Sequence, residues 1–329
     1  MKQIKYLGLA LALTASSLTG CSSSSSKSGD RQVVIYSNAD DEAITAMKNA
    51  LDSNGYGGKY IFQGFGTSEL GGKLLAEGAH LEADLVTMST FYLQSAQEEH
   101  SMFQPISFEV NPLEPFPEYC APITSQEGAI ILNTELMKEE NLPTPNSIQD
   151  LANPVYAGHM AVTDIQSSST ARLLIQALVD ACGEEGAQKT LSAIYQNAGD
   201  HIETSGSGPL KLCRAGEIAI GFGLRHQAVA DKASGLPIDY VDPAEGNFSL
   251  TESVAVLDKG EKTNPLAMEM AECIIKNGRA DLQKTYPNPL YEGESADSAN
   301  QSAYPKTFPE PLTFQLFQKH QELSERAKP

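Results

Sequence analysis

Short apolar runs alternate with helix-like periodic stretches along the first part of the chain. Residues 32–36 form a run rich in β-branched side chains, and in residues 40–51 apolar positions recur every three or four residues. The alternation then repeats, with strands predicted at 59–62 and 83–87 and helices at 68–76 and 91–99. This pattern is typical of a parallel α/β sheet covered by helices.

Two extended segments, 123–132 and 250–257, interrupt this alternation. Between them strand and helix patterns alternate again, with strands predicted at 159–163, 218–222 and 239–241 and helices at 168–181 and 225–233. We therefore predict an α/β protein with two lobes joined by two crossing strands. One lobe is expected to contain residues 31–122 plus 253–329, and the other residues 123–252, with a ligand cleft between them.

The residues that follow each predicted strand form the candidate site, because open α/β sheets bind ligands beyond the carboxyl ends of their strands. These loops share hydroxyl, amide and carboxylate side chains, together with glycines at the starts of helices. The candidate ligand-binding residues are Ser37, Asn38, Asp40, Thr67, Ser68, Ser89, Thr90, Thr124, Ser125, Asp164, Ser168, Ser169, Thr170, Ser205, Ser207, Arg225, His226, Asp242 and Glu252.

The serine-rich loops predict an anion site. A helix start exposes unpaired N–H groups and carries partial positive charge, and serine and threonine add neutral donors. Residues 167–170 and 205–208 are the strongest candidates, with Arg225 and His226 supplying cationic help. Helix capping alone is the alternative for any single serine run. The neighbouring acids would suit a ligand that also carries a cation, or they form a solvated acidic face.

Composition narrows the possible partners. The 42 acidic and 23 basic residues give a net charge of −19, which repels nucleic acid and anionic lipid surfaces. An anion site must therefore be built from local dipoles and few cations. The chain has no GxxxxGK[ST], HExxH or GxSxG motif and no clustered metal-ligand spacing. We expect no enzymatic activity, no catalytic residue, no cofactor and no metal.

The N-terminal residues predict export and lipid anchoring. Lys2 and Lys5 precede an apolar run at 6–13, and Leu18–Thr19–Gly20–Cys21 is a lipobox followed by five serines. We predict a signal peptide over 1–21 ending at a lipidated Cys21, then a serine-rich tether over 22–30. The folded part would work outside the cytoplasmic membrane, in the periplasm or on the outer face, held to the membrane by its lipid alone.

Four further cysteines allow three complete pairings: Cys120, Cys182, Cys213 and Cys273. An extracytoplasmic location permits disulfides. Cys182–Cys213 is the preferred candidate because both residues fall in the same predicted lobe, and buried free thiols are the alternative.

Several segments together resemble an extracellular solute-binding protein of an ABC transporter. They are the lipobox, 33–38, 69–77, 83–86, 205–207 and 215–217, and the resemblance covers nearly all of the chain after the leader. Within this family, the chain is similar to the ferric-binding branch. The resemblance implies a bilobal periplasmic-binding-protein fold of type II that closes on a small solute as a monomer. It also implies delivery of that solute to the permease and ATPase subunits of an importer.

The iron-binding members of this branch use a histidine, a glutamate and an adjacent tyrosine pair. The matching positions here are Asp40, Ser89 and His226–Gln227, so none keeps its iron ligand. The stretch 221–232, with 240–243 downstream, resembles most the subfamily that binds 2-aminoethylphosphonate. That resemblance implies capture of a small phosphonate. The alternatives are hexose-phosphate or other organophosphate binding, then ferric ion or polyamine binding, and an extracytoplasmic phosphatase.

Overall fold

The computed structural model describes residues 31–309 and 313–329. The predicted signal peptide, its lipidated Cys21 and the serine-rich tether lie outside the described residues.

Strands and helices alternate as the hydrophobic pattern predicts. The strands are β1 (Val33–Ser37), β2 (Tyr60–Gly64), β3 (Leu85–Ser89), β4 (Cys120–Asn133), β5 (Met160–Thr163), β6 (Ile202–Glu203), β7 (Ile220–Leu224), β8 (Ile238–Val241), β9 (Asn247–Val256) and β10 (Pro305–Lys306). The helices are α1 (Asp41–Leu51), α2 (Thr67–Glu77), α3 (Thr90–His100), α4 (Thr134–Glu139), α5 (Thr170–Ala198), α6 (Gly208–Ala215), α7 (Arg225–Ala233), α8 (Pro265–Cys273), α9 (Arg279–Thr285) and α10 (Phe314–Ala327).

Helix α5 shows the clearest difference between the predicted and the observed length of an element. The sequence predicts a helix over 168–181, whereas α5 continues to Ala198. Gly183 interrupts it with a φ of 68°, a left-handed conformation that favours glycine. The stretch after Gly183 was missed because its apolar positions are separated by runs of polar residues. Ala187, Leu191 and Ile194 nevertheless recur at helical spacing and are buried.

Two strands are shared by both halves of the sheet. The strand order is β2-β1-β3-β9-β4-β7-β5-β6, and β1, β2 and β3 run parallel to one another. β9 pairs with β3 and with residues 120–127 of β4 in antiparallel register. Residues 128–133 of β4 then pair with β7 and β8. This confirms the prediction of two α/β lobes joined by two crossing strands.

The first lobe has an apolar cluster of its own, and a second cluster continues through both lobes. In the first lobe, Val33 and Ile35 of β1 pack with Met47 and Leu51 of α1, all fully buried. Asp40 caps α1 by accepting a hydrogen bond from the Ala43 N–H at 3.2 Å. Because β1 and α1 are fixed in this way, the loop between them is held at the carboxyl edge of the sheet.

The C-terminal segment returns to the second lobe. α10 packs mainly along α5, and Tyr195 of α5 shares a 2.6 Å hydrogen bond with Ser324 of α10. Just before α10, Lys306 forms an ion pair with Asp180 of α5 at 2.5 Å. The sequence assigned residues 253–329 to the first lobe as a block, since their pattern gives no sign of which partner α10 packs against.

The four cysteines in the described part of the chain are unpaired. Cys120, Cys182, Cys213 and Cys273 are all free thiols, so the preferred pairing of Cys182 with Cys213 was wrong. The Cys182 thiol donates instead to the Leu178 carbonyl within α5, and Cys213 is buried on α6. Burial raises the pKa of Cys213 to about 12, as expected for a thiol that acts as a small apolar side chain.

Candidate functional site

A cavity of about 190 Å³ lies between the lobes, where loops from both meet the crossing strands. At about 30 Å³ for each water molecule, this volume suits a small solute. Its described lining contains no lysine, arginine or histidine. The lining residues are Asn38, Ala39, Asp40, Phe65, Gly66, Thr67, Gln126, Ser167, Ser168, Ser169, Thr170, Thr204, Ser205, Gly206, Ser207, Leu224 and Glu252.

Four helices begin at this cavity with an N-cap residue whose own side chain makes no capping hydrogen bond. Their N-cap residues all line it: Gly66 before α2, Ser169 before α5, Ser207 before α6 and Leu224 before α7. None of these four residues accepts a side-chain hydrogen bond from its own helix. The first N–H groups of a helix have no intrahelical acceptor and carry partial positive charge. The cavity is therefore surrounded by donors suited to an oxyanion.

The two serine-rich loops of the second lobe are packed against each other. Ser168 Oγ accepts from the Thr170 N–H at 3.3 Å, and the Ser205 and Ser207 hydroxyls lie 3.4 Å apart. A Cβ atom at Gly206 would overlap Thr170 Oγ1. The close approach of the two loops therefore requires glycine at this position. Together the loops form one continuous wall of hydroxyl and amide groups.

Two carboxyl groups face the cavity from the first lobe and the crossing strands. Glu252 on β9 is 7% exposed, and its Oε1 accepts from Ser89 Oγ at 2.7 Å. Burial and, to a smaller extent, the nearby Asp40 charge raise the pKa of Glu252 to about 7. Asp40 accepts a short hydrogen bond from the Tyr286 hydroxyl. These acids can neutralise a cation held in the cavity.

The first lobe also supplies neutral polar groups and one aromatic ring. Asn38 Nδ2 donates to Thr67 Oγ1 at 3.0 Å, and Asn38 Oδ1 has no hydrogen-bond partner among the described residues. The Thr67 N–H donates to the Ser167 carbonyl at 3.3 Å, which joins the two lobes directly. Phe65 completes this side and packs on Tyr36 with ring centroids 4.6 Å apart.

The structure brings nine of the candidate residues to this one cavity. They are Asn38, Asp40, Thr67, Ser168, Ser169, Thr170, Ser205, Ser207 and Glu252. The sequence did not single out Gln126, which lies within β4 rather than after a strand. Alternate residues of a strand face opposite sides, so Gln126 faces the cavity while Ser125 lies in a separate groove with Asn288.

The remaining neutral candidates are used within the protein framework. Ser37 Oγ accepts from Thr87 Oγ1 at 2.7 Å, and Thr90 Oγ1 donates to the Thr251 carbonyl at 2.9 Å. Thr124 is 2% exposed and lies beside Glu252 in the β4–β9 register. Ser68, Ser89 and Ser125 also fall outside the lining. These residues follow predicted strands, but their side chains turn away from the cavity or into neighbouring strands.

The charged candidates of the second lobe lie outside the cavity lining. Arg225 is 3% exposed, and its Nε and Nη2 donate to Asp242 at 2.7 and 3.2 Å. Its other contacts are the carbonyls of Ala299 and Gln301. Arg225 and Asp242 therefore hold the C-terminal segment to the second lobe and are not free to meet a ligand.

His226 and Asp164 also contact neighbouring side chains and lie outside the cavity lining. The His226 ring lies 4.7 Å from the Tyr286 ring, and burial lowers the pKa of His226 to about 3, so it is neutral at pH 7. Asp164 accepts from Lys328 Nζ at 3.3 Å and from Ser167 Oγ at the same distance. The cationic help predicted from Arg225 and His226 is thus absent from the cavity lining.

Comparison with known proteins identifies the family. Residues 90–309, about two thirds of the chain, match the model of the bacterial extracellular solute-binding proteins. The chain belongs to that family. Solute-binding proteins of this family deliver small molecules to the permease and ATPase components of ABC importers, and they are not in general enzymes. Among the described residues, no helix has the length and apolar character needed to span a bilayer.

Several proteins resemble this solute-binding protein over most of its length. An uncharacterized protein of Haemophilus influenzae is 25% identical over 83% of this chain and 80% of its own. The periplasmic binding protein AfuA from Actinobacillus pleuropneumoniae, with fructose-6-phosphate bound, has a TM-score of 0.68 at 20% identity, covering 90% of this chain and 97% of its own. Iron-bound HitA from Pseudomonas aeruginosa has a TM-score of 0.70 at 19% identity, covering 90% and 99%. These matches confirm the bilobal type II fold.

Proposed function

We propose that this solute-binding protein captures a small phosphonate zwitterion, 2-aminoethylphosphonate, by closing its lobes over it. The observation that carries the proposal is the meeting of four helix starts, none capped by its own N-cap side chain, with two carboxyl groups in one cavity. The phosphonate oxygens would accept hydrogen bonds from the serine hydroxyls and helix N–H groups. The ligand amine would lie against Asp40 and Glu252.

The number of available donors matches the affinity that such a receptor needs. Binding at micromolar to nanomolar concentration requires about 8 to 12 kcal/mol. Each hydrogen bond to a charged group contributes roughly 1.5 to 3 kcal/mol. Five to eight such bonds, roughly, would therefore suffice after the cost of ordering the ligand and the lobes. Ser168, Ser169, Ser205 and Ser207, together with the helix starts, offer that many donors.

Hexose-phosphate binding is the second candidate. Phe65 lines the cavity, and aromatic rings commonly pack against sugar rings. AfuA, which shares the fold, was determined with fructose-6-phosphate bound. This alternative gives the two carboxyl groups no cation to pair with, because a hexose phosphate carries none. We therefore place it second.

Ferric-ion and polyamine binding fit the cavity less well. At the positions of the iron ligands, Ser89 is bonded to Glu252 and His226 packs on Tyr286. The described residues contain no cluster of three His, Cys, Asp or Glu side chains placed to hold a metal. A polyamine would use the acids but would leave the four helix starts facing positive charge.

Calorimetric titration of the purified protein tests the ligand directly. The panel is 2-aminoethylphosphonate, ethylphosphonate, phosphonoacetate, glucose 6-phosphate, spermidine and ferric citrate. We expect 2-aminoethylphosphonate to bind most tightly and ethylphosphonate, which lacks only the amine, to bind more weakly. Tighter binding of glucose 6-phosphate would replace the ligand assignment, and turnover of a phosphorylated substrate would replace the receptor assignment.

We also propose that the protein acts as a monomer anchored through a lipid on Cys21, with lobes of 31–122 plus 253–309 and of 123–252 together with α10. Cys21→Ser should move the protein from the membrane fraction to the soluble fraction of its host. Retention of the variant in the membrane fraction would contradict lipid anchoring at this residue.

A further inference from the structure

Three arginines are almost completely buried, and one of them has no counter-ion among the described residues. Arg225 pairs with Asp242 at 2.7 Å, and Arg279 pairs with Glu294 at 2.8 Å. Arg172 is 2% exposed and forms no ion pair with a described carboxylate, and its Nε and Nη2 have no hydrogen-bond partner there. Burying an unpaired charge is strongly unfavourable. Its presence therefore requires a source of compensation.

Arg172 stands in the same first turn of α5 as Thr170, which lines the cavity. The Arg172 N–H donates to the carbonyl of Ser169, the N-cap residue that lines the cavity. Long side chains on a helix lean back toward its N-terminus. The guanidinium therefore extends toward the N-terminal end of α5, which is the end that lines the cavity. Its Nη1 donates to the Phe317 carbonyl at 3.3 Å.

Both lobes contribute to covering this guanidinium. Its Cζ lies 3.2 Å from the ring centroid of Phe317 on α10 and 5.4 Å from that of Phe91 on α3. Phe91 and Tyr92 belong to the first lobe, and Tyr92 packs on Phe317 with centroids 4.7 Å apart. Since Arg172 belongs to the second lobe, its full burial depends on contact between the lobes.

Among the described residues, the titratable neighbours of Arg172 supply no negative charge at neutral pH. Burial lowers the pKa of Arg172 to about 9, which leaves it charged. Burial and the Arg172 charge lower the pKa of His320 to about 3, so that ring is neutral. Burial raises the pKa of Tyr92 to about 12, so its phenol is neutral as well. Lys319, which also acts on His320, is positive.

We propose that Arg172 makes closure of the lobes conditional on an anion in the cavity. Closing over an oxyanion brings a negative charge to the N-terminal end of α5, toward which the guanidinium extends, in surroundings of low dielectric where the attraction is strong. Closing over an empty cavity, or over a cation, buries the guanidinium uncompensated. Arg172 would thus determine specificity without touching the ligand. The inference rests on the proposed function, in which closure occurs around an anion.

The experiment compares wild type with Arg172→Met and Arg172→Lys. Titration with 2-aminoethylphosphonate and inorganic phosphate measures affinity, and small-angle X-ray scattering measures closure with and without ligand. We expect Arg172→Met to weaken binding of both oxyanions about tenfold, a typical coupling between linked events. It should also increase the closed fraction of the ligand-free protein. Arg172→Lys should retain most of the affinity because it keeps the charge.

A merely structural role for Arg172 would lower the stability of both variants without increasing closure in the absence of ligand, and that result would overturn the proposal. Wild type provides a test that does not depend on variant folding. Saturating 2-aminoethylphosphonate should contract the protein, whereas spermidine at the same concentration should not. Equal contraction by both would overturn the proposal while leaving phosphonate binding intact. Failure of wild type to bind any oxyanion would instead remove the proposed function and this inference together.

Discussion

The two sides of the cavity are built from different kinds of chemistry. The serine side is neutral and is formed by loops and helix starts that the α/β fold places at the ends of strands. The acidic side depends on two individual side chains, Asp40 and Glu252. Under the proposed function, the oxyanion site follows from the fold, whereas selection among oxyanions depends on these two side chains. Variants of each side test this division.

The largest expected effect comes from separating the two serine-rich loops, 167–170 and 205–208. Gly206→Ala places a Cβ against Thr170 Oγ1 and should weaken 2-aminoethylphosphonate binding about 100-fold, or about 3 kcal/mol, as overpacking does elsewhere. Gly66→Ala is the matched control, because its Cβ meets no atom within 4 Å in the same cavity. Calorimetry of the two variants checks the prediction, and equal effects would show that packing of the loops is unimportant.

The next largest expected effect is on the free energy of unfolding, through Glu252 on the acidic side. Because burial raises the pKa of Glu252 from 4.5 to about 7, the folded protein keeps this proton over a range in which the unfolded chain loses it. The favourable contribution is present at low pH and is lost as pH rises toward 7. Glu252→Gln should therefore stabilise the ligand-free protein by on the order of 2 kcal/mol at about pH 8.

Urea unfolding of wild type and Glu252→Gln across pH measures this difference. The advantage of the variant should shrink as the pH falls to about 5, where the wild-type side chain is protonated in the folded state. A pH-independent difference between the two proteins would mean that Glu252 does not carry a raised pKa.

Glu252→Gln should also change the affinity differently for ligands with and without an amine. We expect about a tenfold loss for 2-aminoethylphosphonate, near the lower end of what a hydrogen bond to a charged group contributes, and a gain for ethylphosphonate. Asp41→Asn is the control, since Asp41 is an exposed acid in the first turn of α1 and does not line the cavity. Parallel changes for both ligands would argue against an amine site at Glu252.

The smallest effects distinguish ligand binding from helix capping on the serine side. Ser207→Ala should reduce affinity about fivefold and leave stability nearly unchanged, because Ser207 makes no side-chain cap bond. Asn264→Ala is the contrasting variant. Asn264 accepts from the Leu266 N–H at 3.1 Å as the cap of α8, so this variant should lose about 1 kcal/mol of stability and no affinity. The reverse pattern would identify the serine as a cap.

Local patterns in the sequence predicted most elements and the loops of the site, because periodicity reports burial and strand ends converge at a sheet edge. These local patterns could not predict which side chains contact one another in the folded protein. Arg225 was expected in the cavity, but its partner Asp242 lies 17 residues away and is brought close by the pairing of β8 with β4. Gln126 was missed because it lies within a strand, and the unpaired state of Arg172 depends on packing between three helices.

The packing of α10 on α5 has a practical consequence. β1 begins in one lobe, whereas α10 is fixed to the other. Fluorescent proteins fused before β1 and after α10 would therefore be attached to different lobes. Under the capture mechanism proposed above, their energy transfer would change when solute enters, which would turn the receptor into a genetically encoded sensor without altering the ligand cavity.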